Sequence, residues 1–141
     1  MLRGKRFRDS TCMSSPHAST RVYLADDSAL IRQRVAAMLG ERAFTVVGQG
    51  ETPQACIGGI LASRPDVVVL DVQLEGGTGL DVLRAVRAVL PSTAFVVFSN
   101  SSAPAYRKRY LAQGAAEFLD KSDEFEQLPH AIASAARCSA H

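Results

Sequence analysis

The sequence predicts an α/β fold, a doubly wound parallel sheet of five strands with helices on both faces. Three observations carry this. Apolar runs of strand length alternate five times with stretches of helical periodicity. The runs are apolar at consecutive positions, as strands buried on both faces are. Caps and breakers such as Thr52-Pro53, Pro91 and Gly114 fall between them.

Taken in order, residues 1–20 are polar, rich in Ser and Thr and without periodicity, and read as a disordered leader with Met13 as a second candidate start. "RVYLA" from Arg21 is the first strand. The helix after it places Leu30, Ile31, Val35, Met38 and Leu39 on one face and closes at Gly40. "FTVVGQ" is the second strand. Thr52 then supplies an N-cap and Pro53 a first-turn proline for a helix that buries Cys56, Ile57, Ile60 and Leu61.

"DVVVL" is the third strand. Its helix opens with the capping-box spacing Thr78 to Asp81, buries Leu80, Leu83, Val86 and Leu90, and is stopped by Pro91. "AFVVFS" is the fourth strand, followed by a loop with Pro104 and a helix carrying Arg107, Lys108 and Arg109 to Gly114. Beside Tyr106 and Tyr110, that basic tract reads as a solvated face. "AAEFLD" is the fifth strand, and a helix from about Asp123 has Phe125, Leu128 and Ile132 on its apolar face. The expected strand order is the flavodoxin-like 2-1-3-4-5, in which ligands bind beyond the carboxyl ends of the strands, at the switch point between strands one and three.

The 141 residues suit one domain, and a hydrophobic share of 47% suits a globular one. Sixteen basic against 14 acidic side chains, a net charge of +2, argue for neither nucleic-acid binding nor a membrane surface. Cys12, Cys56 and Cys138 share no metal-ligand spacing and read as free thiols in a reducing cytoplasm. No stretch approaches the length of a membrane span, and the basic start "MLRGKRFR" leads into no apolar segment, so a cytoplasmic location is expected.

This topology gives the ends of the strands a chemical meaning. Strand one ends in Asp26 and Asp27, strand three in Asp71 and strand four in Ser99, and strand five delivers Lys121. Singly, each has an ordinary reading: a helix cap, a turn, a loop residue, a solvated charge. Their joint placement is what ordinary readings do not produce. Three crowded carboxylates repel unless a cation sits among them. Oxygen ligands without His or Cys select a hard ion, Mg²⁺ or Mn²⁺. Such a site suits phosphoryl transfer, with Asp71 as nucleophile and Lys121 as second cation.

The pieces "LADDSALIRQRV", "PDVVVLDVQL", "VVFSN" and "GAAEFLDKS", in this order and spacing, resemble the receiver domain of bacterial two-component response regulators over residues 21–137. The resemblance implies that Asp71 takes a phosphoryl group from a phosphohistidine of a sensor kinase or histidine phosphotransfer protein. It implies that Asp27, Asp71 and the main-chain carbonyl of Gln73 hold Mg²⁺, with Asp26 acting through water. Ser99 would move to the phosphoryl group, Phe118 would turn inward in response, and the face of helix four, strand five and helix five would carry the output to a protein partner. Two places depart from the family's common pattern: Ser122 follows the lysine where Pro is frequent, and "GGTG" stands where a Pro-and-Met loop is common.

Rival uses of the fold fit less well. A flavin or nucleotide module would follow strand one with a phosphate-cradling loop, which "ADDSAL" is not, and an aspartate-nucleophile phosphatase would have Asp rather than Ser28 two residues after Asp26. The remaining alternative is a phosphorylation-independent interaction domain of the same fold. Residues 138–141 read as a short tail with no output domain, so a stand-alone regulator or phosphorelay intermediate is expected.

Overall fold

The computed structural model describes residues 19–100 and 103–139. The five strands of the main sheet, β1 (Thr20–Ala25), β2 (Phe44–Gly50), β3 (Val67–Leu70), β4 (Ala94–Ser99) and β5 (Glu117–Asp120), alternate with α1 (Ala29–Gly40), α2 (Pro53–Ser63), α3 (Gly79–Val89), α4 (Pro104–Ala112) and α5 (Leu128–Ser139), and a short antiparallel pair, Gln73–Leu74 with Gly77–Thr78, lies between β3 and α3. The sheet is parallel throughout, in the order β2-β1-β3-β4-β5. The expected flavodoxin-like order is the observed one.

Side chains alternate across each strand, so an apolar run feeds two cores. Tyr23, Val68, Leu70, Phe95, Val97 and Phe118 join buried residues of α2, α3 and α4 on one side. Val22, Leu24, Val67, Val96, Phe98 and Leu119 join residues of α1 and α5 on the other. The edge strand β2 is only half-buried and carries a bulge, since Val22 pairs with Val46 and Tyr23 with Gly48, leaving Val47 over. No helix among the described residues is long and apolar enough to cross a membrane.

The caps act where expected. The Thr52 hydroxyl accepts from the Ala55 amide with Pro53 in the first turn, and Thr78 and Asp81 form a reciprocal capping box. Several expectations need correction. Leu30 is 64% exposed, because at about 100° per residue it is turned away from the stripe formed by Ile31, Val35, Met38 and Leu39. The last helix starts at Leu128, after a 3₁₀ turn over Phe125–Gln127. A helix from Asp123 would have put Pro129 in its interior, where the missing N–H and the ring break it, whereas in the first turn Pro is tolerated. Arg107, Lys108 and Arg109 are exposed as expected, while the neighbouring Tyr110 is buried. Thr20 belongs to β1, and α5 runs two residues into the expected tail. Residues 1–18, with Met13 and Cys12, lie outside the described residues, as does the Cys138 side chain, while Cys56 is free and buried.

Tyr23 shows how small residues shape the fold. Its ring lies against Gly48 of β2 and Gly59 of α2, and a Cβ at Gly59 would stand 2.6 Å from the Tyr23 hydroxyl. Gly58, the preceding residue, is exposed and its Cβ would meet nothing within 4 Å. Gly58→Ala is therefore expected to stabilise the protein by about 0.5–1 kcal/mol through helix propensity. Gly59→Ala should destabilise it by roughly 1–3 kcal/mol, because the overpacking outweighs the same gain. Urea unfolding of the two variants beside the parent measures both.

Candidate functional site

Strand register assembles the site. Ala25 of β1 lies opposite Leu70 of β3, so the next residues, Asp26 and Asp71, leave the sheet side by side. The ladder continues past the strands: the Asp71 amide donates to the Ala25 carbonyl at 2.9 Å, and the Asp26 amide to that of Gly50 at 3.1 Å. Ser99 pairs with Asp120 across β4 and β5, and the Lys121 amide donates to the Ser99 carbonyl at 2.9 Å. Each functional residue is thus the last or the first past the last of a buried strand.

Asp26, Asp71, Ser99 and Lys121 are buried, and Asp27 is exposed. The Lys121 ammonium stands 2.6 Å from Asp26 Oδ2 and 3.1 Å from Asp71 Oδ2. Carboxylate oxygens of Asp26, Asp27 and Asp71 lie within 4.8 Å of one another. Ser28, not the acidic pair, caps α1, taking the Ile31 amide, while its own amide donates to Asp26 Oδ1 at 2.9 Å. The acidic pair keeps oxygens for the pocket as a result.

Burial raises the Asp71 carboxyl above the usual carboxylate range. The Lys121 ammonium opposes that rise, Asp26 adds to it, and hydrogen bonds from Lys121 and the Gln73 backbone oppose it further. For Lys121 burial works against the charge, but the hydrogen bond to Asp26 and the field of both carboxylates outweigh it and raise the ammonium's pKa. An acidic, all-oxygen pocket with one side open through Asp27 has the donor chemistry for a hard divalent cation.

Two features hold this corner in shape. At the start of α3, a Cβ on Gly79 would stand 2.1 Å from the Asp71 carbonyl oxygen, and the Gly79 amide donates to the Val72 carbonyl at 2.8 Å. Only a residue without Cβ lets the helix approach that closely. On α1, Arg32 donates to the Asp26 carbonyl and, at 3.1 Å, to Gln49 Oε1, and pairs with Glu51 at 3.5 Å. No peptide bond among the described residues is cis, so Lys121–Ser122 is trans. Asp120 Oδ1 accepts the Ser122 amide at 2.7 Å and helps to shape that turn.

Phe118 lies apart from the acidic cluster but on the same face of the sheet as Ser99, since Val97 pairs with Phe118 and Ser99 with Asp120. Its ring is buried, edge-on to Tyr110 at 6.2 Å and under the Arg107 guanidinium at 5.2 Å.

The family model of the response regulator receiver domain matches residues 22–133. The chain belongs to the response regulator receiver family. It is 33% identical over 127 residues to a probable transcriptional regulatory protein NarL of Mycobacterium tuberculosis, covering 89% of this chain and 59% of that protein. With the response regulator GacA of Pseudomonas aeruginosa it shares 29% over 113 residues, 79% of this chain and 53% of that one. The chain thus spans little more than half the length of these relatives. Its fold superposes on the signal receiver domain of the M. tuberculosis NarL with a TM-score of 0.79 at 34% identity, covering 84% of this chain and 97% of that domain. The response regulator domain of Thermotoga maritima CheB, at a TM-score of 0.78 and 23% identity, shares the fold. Receiver domains generally use Mg²⁺ at an acidic pocket, and the Asp cluster here has that character.

Reading the sequence missed Arg32 and Gly79. Arg32 carries no local signal, being one of three arginines or glutamines in "RQR". Gly79 does, since a glycine directly after the cap residue Thr78 at the start of a helix calls for a close neighbour.

The raised Asp71 pKa fixes the sign of a stability effect. Between the unfolded value of 3.8 and the higher folded value the native state holds this proton more tightly, so its stability falls as pH rises through that window. Above the window the buried charge burdens the fold. In metal-free buffer at pH 7, Asp71→Asn should therefore melt above the parent, and the difference should vanish as pH falls below about 3.8. Thermal melts across pH measure it.

Proposed function

We propose that Asp71 is the phosphoacceptor of a two-component signalling switch formed by residues 21–137. The observation that carries this is the buried Lys121 ammonium shared between Asp26 and Asp71, at the switch point of a receiver fold. Receiver domains interact with histidine kinases or phosphotransfer proteins. In this reading a carboxylate oxygen of Asp71 attacks the phosphorus of a phosphohistidine, the P–N bond breaks, and its electron pair leaves with the imidazole of the donor protein. Lys121 stays within reach of the oxygens of the transferred group and neutralises part of their charge. Asp27, Asp71 and the Gln73 carbonyl would hold Mg²⁺ or Mn²⁺, with Asp26 acting through water. The ion supplies positive charge against the phosphoryl oxygens.

Ser99 then donates its hydroxyl to the phosphoryl group, which favours the inward Phe118 ring already seen here and so sets the face of α4, β5 and α5 that a downstream protein reads. The even charge balance supports a protein rather than a nucleic acid as direct partner, and the family resemblance supports a cytoplasmic location.

Intact mass after incubation with acetyl phosphate and Mg²⁺ tests the assignment. The parent should gain one phosphoryl group and Asp71→Asn none. A parent that stays unmodified would leave the phosphorylation-independent interaction domain as the reading. The metal site is tested separately by melting. Mg²⁺ should stabilise the parent by about 2.7 kcal/mol at roughly a hundred times its Kd. Asp27→Asn, which removes a ligand and part of the repulsion, should lose most of that gain and be at least as stable as the parent without metal.

A further inference from the structure

The basic tract on α4 is only partly a solvated face. Arg107 and Tyr110, three apart and so on the same side of the helix, hold the Phe118 ring between them. Each also leads back to the acidic pocket. The Tyr110 hydroxyl donates to the carbonyl of Val72, the neighbour of Asp71, at 3.4 Å. The Arg107 guanidinium lies 3.9 Å from Glu124 Oε1, and that same oxygen accepts the amide of Asp120, the neighbour of Lys121, at 2.9 Å.

We propose that Arg107 is a positioning residue that holds the Phe118 ring inward and ties it, through Glu124, to the turn carrying Lys121. This rests on the proposed role of Phe118 in the switch. The arrangement closes a ring of contacts from Asp71 through Val72, Tyr110, Phe118, Arg107, Glu124 and Asp120 to Lys121, and back to Asp71. Arg107 is the member best suited to set the balance. Its side chain is 45% exposed, so its removal leaves no cavity, yet its charge covers one face of a buried ring. A half-exposed ion pair or a cation–π contact is individually weak. Acting on an element with two close-lying states, it shifts their populations in full proportion to its preference for one. The inward state is the one in which this cation finds both the ring and the carboxylate.

Three variants of the full chain test this: Arg107→Ala, Arg107→Lys and Glu124→Gln. Glutamine keeps an oxygen for the Asp120 amide but loses the charge that faces Arg107. In unmodified protein, Arg107→Ala should shift and broaden the Phe118 ring resonances and weaken their cross-relaxation with Tyr110, and Arg107→Lys should restore part of both. In titrations with beryllofluoride and Mg²⁺ followed by amide shifts, Arg107→Ala should weaken the apparent affinity roughly three- to tenfold, the size such contacts carry. Glu124→Gln should reproduce part of that loss and add little to it in the double variant. Unchanged ring resonances in Arg107→Ala, or losses that simply add in the double variant, would overturn the proposal. A parent that ignores beryllofluoride would instead overturn the phosphorylation reading, while the ring resonances of the unmodified variants still decide the role of Arg107.

Discussion

The structure is organised around one ammonium group set between two buried carboxylates. Taking Asp26, Asp71 and Lys121 out of water is unfavourable for each alone, and removing the ammonium would leave both carboxylates without compensation. The cluster is tolerable only while the oxygens and the nitrogen stay within hydrogen-bonding distance. That demand reaches far into the fold. It requires β1 and β3 to end level and β5 to run two residues further before Lys121, which the register provides, and α3 to begin against the Asp71 carbonyl, which Gly79 allows. It also requires the turn after β1 to be capped by something other than the acidic pair, which Ser28 supplies.

The parts legible in the sequence were those decided by local chemistry. Uninterrupted apolar runs such as "DVVVL" announce strands buried on both faces, and Thr52-Pro53 or Thr78 with Asp81 announce helix starts, because the physics of each lies within a few residues. From the strands and their order, the gathering of Asp26, Asp27, Asp71 and Lys121 at one corner followed, and the distances among them agree.

What the sequence left obscure depended on partners distant in the chain. Leu30 is adjacent in sequence to the buried stripe of α1 but stands about a quarter-turn or more away from it on the helix, and is exposed. Tyr110 follows three exposed basic residues, yet it is buried because β5 brings Phe118 beneath it. Arg32 reads as an ordinary helix-surface charge until the β2 end, with Gln49 and Glu51, is brought alongside. The start of the final helix was misplaced for a different reason. The apolar spacing of Phe125, Leu128 and Ile132 extends the helical pattern upstream, whereas Pro129 suits only a first turn and fixes the start at Leu128.

The contact between Lys121 and Asp71 spans 50 residues of chain, and the two carboxylates come from strands made well before the lysine. On a ribosome, β1 and β3 emerge first, and their paired acids lack the Lys121 ammonium until the last strand is added. A truncated or nascent chain is thus penalised at the point where its own strands would pair. Completion of the sheet by β5 brings in the ammonium that faces both acids, so the last strand supplies the counter-charge of the first and third.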